Sequence, residues 1–379
     1  MIFLTGSTGY IGSYVATGLL REHSEDLLVF VRAKDAKHAE ERLWKAWQLH
    51  MDFDEYMEFV RTRVHFVLGD LTAINLGLSD EVWNDTAKKM TSVIHVAASL
   101  NRKSAKACFN VNLRGTLSIV RLARQAHDDH GLRRFSDVST VAVCGHRNNE
   151  MVDEEHIIEW DRSDYDPYAR TKKFCEHMVH ELLPDVDCRV FRPSTVLGDS
   201  RFPETVQFDM VRAFVMLSKM RVLPLSSQWR MDIVPANYVA AAIVKIHQLE
   251  SPKYSSYNLS AGASSLTYAK IVDAMQESGH PGKRPKFVPA LEGPFTKTVN
   301  ALSNSPRKFG VAYPASLLKV FMPYLVNNTV FDNTRVVEEM GQAPEPFSDY
   351  AFELFNFATT NDFEYPYEPW PAGVEAGER

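Results

Sequence analysis

The chain has 379 residues, 45% of them hydrophobic, enough to bury a large core as one α/β unit with a smaller appended lobe. Its 42 basic and 48 acidic side chains leave a net charge of −6, which argues against a nucleic-acid binder held by phosphate contacts. Four cysteines without a pairing rhythm (Cys108, Cys144, Cys175, Cys188), no apolar run of membrane-spanning length and a glycine turn beginning at residue 5 point to a reduced cytoplasmic protein without a signal peptide.

Met1-Ile2-Phe3-Leu4 reads as a first strand that feeds directly into Thr5-Gly6-Ser7-Thr8-Gly9-Tyr10-Ile11-Gly12. A helical pattern follows through Tyr14, Val15, Gly18, Leu19 and Leu20. Strand, tight glycine turn and helix start form the arrangement that grips a dinucleotide pyrophosphate. The helix N-terminus offers free N–H groups and the positive end of its dipole. Gly6 permits the turn, Gly9 lets the backbone approach the phosphates, and Gly12 lets the helix lie close on the strand. Cofactor contacts are therefore expected along Gly6, Ser7, Thr8, Gly9, Tyr10, Ile11 and Gly12, with the spacing G-x-x-G-x-x-G in place of the commoner G-x-G-x-x-G.

Leu27–Val31 is the second expected strand, with Arg32 at its tip, twenty residues after Gly12. A carboxylate there would bond the ribose 2′-hydroxyl of NAD, whereas a guanidinium matches a 2′-phosphate with charge-assisted hydrogen bonds. Lys34 and Arg42 add positive charge, so the expected cofactor is NADP(H). A third strand, 64–68, ends in Gly69-Asp70-Leu71, where Asp70 can reach the adenine edge. A fourth, 92–96, is followed by Ala97-Ala98-Ser99, small residues where cofactor passes close to backbone. A fifth spans 135–140 and a sixth 188–192, separated by an acidic, irregular insert from Arg147 to Asp164. This alternation predicts a Rossmann-type, doubly wound parallel sheet. Residues 1–200 form the nucleotide-binding core with the catalytic residues, and 201–379 a smaller, mostly helical substrate lobe and C-terminal extension.

The chemistry is expected from three residues. Asp166-Pro167 opens a helix with an N-cap and a proline at its first position, and Tyr168 and Lys172, four apart, share a face of it. A phenol with pKa near 10 is a sluggish proton donor-acceptor at neutral pH, and a neighbouring ammonium favours its phenolate. Thr140, at the expected end of the fifth strand, lies where open α/β sheets present ligands. Its hydroxyl and that of Tyr168 can hold a carbonyl oxygen and stabilise the oxyanion left by hydride addition. Cys175, His177 and His180 crowd one helix, but 175 and 177 point to different faces, so no metal site is expected.

These residues resemble an extended short-chain dehydrogenase/reductase: T-G-x-x-G-x-x-G at 5–12, Asp70-Leu71, Ala97-Ala98, Asn112, Ser139-Thr140, Tyr168-x-x-x-Lys172 and Arg192-Pro193. More narrowly, the chain resembles the thioester reductase and fatty acyl-CoA reductase branch. Val31-Arg32-Ala33 with Ala39-Glu40-Glu41-Arg42-Leu43, Ser139 to Val143, and Arg192 to Ser200 carry that likeness. It covers roughly residues 1–275, and Asp232 to Ala240 is similar to the segment where such chains return from substrate lobe to core, so part of 228–260 is expected there.

The resemblance implies that Tyr168 donates the proton, Lys172 binds the ribose and tunes it, and Thr140 binds the carbonyl oxygen. Asn112 would support the lysine through its helix or a water. Gly6, Gly9 and Gly12 would hold pyrophosphate, Arg32 and Arg42 the 2′-phosphate, Asp70 the adenine and Pro193 the nicotinamide end. The acidic insert (Asp153, Glu154, Glu155, Glu159, Asp161, Asp164) sits awkwardly beside a coenzyme A or phosphopantetheine carrier and is expected as a solvated loop. Thr171 keeps a hydroxyl where the family often has serine.

Two classes of function follow. The first is an enzyme that uses NADPH to reduce an acyl thioester, on coenzyme A or an acyl-carrier protein, to an aldehyde and possibly onward to the alcohol. Its runner-up reduces a ketone, or oxidises a secondary alcohol, on a hydrophobic or sterol-like substrate. The second class, a silent nucleotide sensor, ordinarily loses the tyrosine or lysine, and both are kept here. The apolar run Leu317 to Val326 reads as a core-packed helix, compatible with a channel wall, and leaves peripheral membrane contact open. The aromatic residues Phe352, Phe355, Phe357 and Phe363 read the same way.

Overall fold

The structure is a computed structural model that describes residues 1–305 and 312–374. Strands β1 (Ile2–Thr5) and β2 (Leu27–Val31) are buried at every position, which is why both are unbroken apolar runs without alternation. They join β3 (Val64–Leu68), β4 (Ser92–His95), β5 (Arg134–Val138), β7 (Cys188–Pro193) and β8 (Ser256–Leu259) in one sheet; a two-residue strand, β6 (Met151–Val152), lies outside it. The order is β8-β7-β5-β4-β1-β2-β3, and every pairing is parallel. Strand order reverses between β1 and β4, where Thr5 pairs with His95, so a crevice opens beyond the carboxyl ends of these two strands.

Helices cover both faces: α1 (Tyr10–Glu22), α2 (Ala36–Trp47), α3 (Gly115–His130), α4 (Pro167–Leu182) and, packed against α1, α6 (Ala236–Gln248); α5 (Phe208–Ser218) belongs to a second layer described below. The edge strand β8 and helix α6 come from residues beyond 200, so the chain leaves the sheet and re-enters it.

Strand β5 stops at Val138, two residues before the expected end. Ser139 N–H still bonds Phe191 O at 2.6 Å, but the Thr140 hydroxyl accepts from Ala142 N–H at 3.2 Å and starts a 3₁₀ turn, Val141–Cys144. The acidic insert is not simply solvated. Val152, Glu154 and Ile157 are buried, and β6 pairs in parallel with β9 (Val330–Phe331) from the far end of the chain. Glu154 accepts from the backbone N–H groups of Asn258 (2.7 Å) and Arg335 (2.9 Å), so it pins the C-terminal segment to the sheet edge; Asp153, Glu155 and Asp161 remain exposed.

A second hydrophobic core joins α5, α7 (Ala312–Val326) and the helix Ala351–Thr360. Helix α7 has two apolar stripes. Leu318, Met322 and Leu325 are buried in this core, while Leu317, Val320, Phe321 and Tyr324 line the crevice. Core helix and channel wall are thus opposite faces of one element. Phe355 is buried in the same core, and Phe352 and Phe363 pack against it. No helix among the described residues is long and apolar enough to cross a membrane.

Candidate active site

The crevice is a continuous cleft of about 1340 Å³, running from the glycine turn to the cleft stripe of α7. At the turn, Gly6 has φ +81°, and a Cβ there would lie 2.7 Å from Ala97 N. A Cβ on Gly12 would lie 2.0 Å from Gly6 O, so only glycine lets α1 sit this low on the strand. Gly9 is the N-cap of α1 and has no side chain over it, leaving the first-turn N–H groups of a 13-residue helix accessible to an anion. The cradle therefore fits a dinucleotide pyrophosphate.

Thr8, Tyr10, Ile11, Leu71, Ala97, Ala98 and Pro193 also line the cleft. Ser7 does not: it is fully buried, and its carbonyl accepts from Trp47 Nε1 at 3.0 Å. Its hydroxyl is buried without a hydrogen-bond partner, and the expected cofactor contact at Ser7 falls outside the lining of the cleft. At the tip of β2, Arg32 is 71% exposed, and its Nη1 lies 3.9 Å from Asp70 Oδ2. Arg42, from α2, donates to the Arg32 carbonyl, so both cations stand at the same edge of the cleft. Burial works to raise the Asp70 pKa, but hydrogen bonds from the Thr72 N–H and hydroxyl, helped by Arg32, outweigh it and hold the carboxyl below its ordinary value.

On the opposite wall, Asp166 caps α4 by accepting from Ala169 N–H at 2.8 Å, and Pro167 follows it. This start places Tyr168 and, one turn later, Lys172 at the cleft beside Thr140. Lys172 is 1% exposed; its Nζ donates to Val138 O at 2.6 Å and lies 4.0 Å from Asp137 Oδ1. Burial works to discharge this ammonium, but the facing Asp137 carboxylate and Tyr168 phenol outweigh it and raise its pKa above the ordinary lysine value. The cation in turn helps burial push the His95 imidazole down to about 3, so His95 is neutral between Thr5 and Thr116 hydroxyls, at 2.7 and 2.9 Å.

Asn112 does not reach Lys172 directly. It sits in a wide, π-type turn, Phe109–Arg114, where its Oδ1 accepts from Ser99 N–H (2.7 Å) and its Nδ2 donates to Ser99 O (3.3 Å) and Thr171 Oγ1 (3.1 Å). Its geometry fixes the loop after β4 to helix α4. Three cleft neighbours gave no sequence signal: Asp137, fully buried with neither oxygen hydrogen-bonded; Arg102, over the Tyr168 ring; and Tyr324, bonded to Arg102. Asp137 read as an ordinary strand residue, Arg102 lies in an irregular loop, and Tyr324 was one more apolar residue of its run.

A parallel sheet of this order, a glycine turn at its switch point and a tyrosine-lysine pair on the facing helix define a nicotinamide-nucleotide-binding protein of the extended short-chain dehydrogenase/reductase class. The NAD-binding family described as "Male sterility protein" matches residues 4–243, and the chain belongs to that family. It is 26% identical over 255 residues to the glycine betaine reductase of Emericella nidulans, covering 65% of this chain and 20% of that protein. It is 27% identical over 276 residues to a putative fatty acyl-CoA reductase of Drosophila melanogaster, covering 64% of this chain and 53% of that one. The chain thus spans only about a fifth and about half of these two relatives. Among solved structures, the terminal R domain of the myxalamid PKS-NRPS pathway superposes with a TM-score of 0.80 at 20% identity, covering 96% of this chain and 91% of the other.

Proposed function

We propose that this chain is an NADPH-dependent reductase that converts an acyl thioester, carried on coenzyme A or a carrier protein, to an aldehyde and a free thiol. The observation that carries the reading is the meeting of Thr140, Tyr168 and Lys172 in one cleft with the glycine cradle and the apolar stripe of α7. When bound, the nicotinamide supplies the hydride. Thr140 and Tyr168 hydroxyls hold the thioester carbonyl oxygen and stabilise the oxyanion that forms when its carbon is reduced. Tyr168 gives that oxygen its proton, and the buried Lys172 cation, kept charged by Asp137, supports the phenolate left behind. Collapse of the hemithioacetal then breaks the C–S bond: its hydroxyl proton returns to the Tyr168 phenolate as the aldehyde C=O forms, and the departing thiolate takes a proton from solvent to give the free thiol.

Leu317, Val320 and Phe321 give the acyl group an apolar wall to lie on. Arg32 and Arg42, side by side at the far edge, favour NADPH over NADH. The family membership and the fungal relative's name support a reductase, and the name of the fly relative, a putative fatty acyl-CoA reductase, supports an acyl thioester as its substrate. A structural neighbour described as a thiolation-reductase di-domain supports carrier-bound delivery.

The test is NADPH oxidation at 340 nm with a long-chain acyl-CoA, the matching aldehyde and a hydrophobic ketone, with Tyr168→Phe as control. Thioester-dependent oxidation that the substitution abolishes is expected. Turnover of the ketone alone would overturn the thioester reading in favour of a secondary alcohol dehydrogenase.

A further inference from the structure

We infer that Arg102 is a positioning residue: its guanidinium fixes the Tyr168 ring and ties that ring, through Tyr324, to the helix that forms the substrate wall. The inference rests on the reading of Tyr168 as proton donor.

Arg102 makes four contacts around one point. Its Cζ lies 4.6 Å from the Tyr168 ring centroid and 5.4 Å from that of Tyr324. Its Nη1 donates to Asp166 Oδ2 and to the Tyr324 hydroxyl, each at 2.8 Å. Asp166 is also the N-cap of α4, so one carboxylate sets both where the catalytic helix begins and where the arginine sits. A cation held over the face of a phenol ring restricts its tilt, and the hydroxyl at the far end of that ring moves with it. Burial works against the guanidinium charge, but the facing Tyr324, Asp166 and Tyr168 outweigh it, so the cation is retained.

The backbone carrying Arg102 is held as firmly as its side chain. Asn112 grips both backbone polar groups of Ser99, and Cys108 Sγ donates to Asn101 O at 3.3 Å. This gives the buried Asn112 amide a purpose: it anchors the loop that delivers the arginine.

Tyr324 belongs to the cleft stripe of α7 with Leu317, Val320 and Phe321. An acyl chain lying on that stripe bears on the same helix face that holds Arg102, so seating of the substrate and placement of the tyrosine are one mechanical unit. Tyr165, three residues before Tyr168, packs against Tyr324 with ring centroids 5.7 Å apart and planes tilted by 31°, which adds a second link between α7 and the start of α4.

The experiment compares Arg102→Met, Arg102→Lys, Tyr324→Phe and the double variant Arg102→Met/Tyr324→Phe in the full chain, with Tyr168→Phe as reference. It reads kcat and KM for a long-chain acyl-CoA and the Kd of NADPH by fluorescence. Arg102→Met is expected to lower kcat about a hundredfold, the scale of a small misplacement of a reacting group, with KM and Kd almost unchanged. Arg102→Lys recovers part of that loss. Tyr324→Phe removes one hydroxyl and lowers kcat about tenfold, the scale of a hydrogen bond to a charged group. The double variant is no slower than Arg102→Met.

Wild-type kcat in Arg102→Met and Tyr324→Phe, beside an inactive Tyr168→Phe, would overturn the inference while leaving the proposed function standing. Losses that fall on KM or Kd with kcat intact would overturn it too. Should Arg102→Met fail to fold, Tyr324→Phe decides alone. Full turnover in Tyr168→Phe would instead remove the proposed role of the tyrosine, and this inference with it.

Discussion

Replacing Arg32 by alanine separates the two nicotinamide cofactors. In the structure the Arg32 side chain is 71% exposed, and its partner Asp70 lies 3.9 Å away. An exposed pair at that distance contributes at most about 1 kcal/mol. A charge-assisted bond to a 2′-phosphate contributes about 1.5–3 kcal/mol. Exchanging Asp70 for the phosphate therefore gains about 0.5–2 kcal/mol, which at about 1.4 kcal/mol per tenfold is roughly 2- to 30-fold in affinity. Arg32→Ala should weaken NADPH by that factor and leave NADH unchanged. The assay is a fluorescence titration of both cofactors against wild type and variant at low and at physiological salt. Because the site is open to water, the difference shrinks as salt rises. Equal weakening of NADPH and NADH would refute the reasoning, since it would place Arg32 away from the phosphate that distinguishes them.

Gly12→Ala should cost at least about 1–3 kcal/mol of stability, because its Cβ meets the backbone oxygen of Gly6 at 2.0 Å and neither partner is a flexible side chain. Thermal unfolding would show a lowered midpoint, and an unchanged midpoint would contradict the close packing of α1 on β1. Two buried carboxylates that accept from the C-terminal segment should impose a pH dependence. Burial pushes Asp232 up to about 6 and Glu154 to about 7, above unfolded values of 3.8 and 4.5, so the native state holds these protons more tightly. Their stabilisation is greatest below about pH 4 and is lost as pH rises through 6 and 7. For Asp232 alone the loss is roughly 3 kcal/mol, about two pKa units at about 1.4 kcal/mol each. Unfolding midpoints of Asp232→Asn should lack that share of the decline between pH 4 and 7; a slope identical to wild type would count against it. Val320→Trp, on the cleft stripe of α7, should raise KM for long-chain acyl-CoA about tenfold or more while sparing a short-chain one. Equal effects on both lengths would move the acyl group elsewhere.

What was legible in the sequence follows from where the constraint is local. Strands β1 and β2 are legible because buried parallel strands are continuous apolar runs, and Gly12 because its clash is with the nearby Gly6 oxygen; Gly6 itself answers to Ala97 on the neighbouring strand end, a contact that local sequence does not reveal. The start of α4 was equally local, set by Asp166 and Pro167. The end of β5 was missed because the Thr140 hydroxyl competes for the backbone of Ala142, which propensity does not reveal. Glu154 read as one charge among many in an acidic stretch; only the return of the chain 181 residues later gives it Arg335 N–H to accept from. Arg102 and Tyr324 are 222 residues apart, and no periodicity joins them.

The central claim is hydride transfer to a thioester carbonyl, and one measurement tests it most directly. NADPH carrying deuterium at both C4 positions is incubated with acyl-CoA and the purified chain, aldehyde is trapped for mass spectrometry, and free thiol is titrated in parallel. The account predicts aldehyde carrying one deuterium at its carbonyl carbon and one thiol released for each aldehyde formed, both absent with Tyr168→Phe. Unlabelled aldehyde, or cofactor oxidation without thiol release, would contradict it.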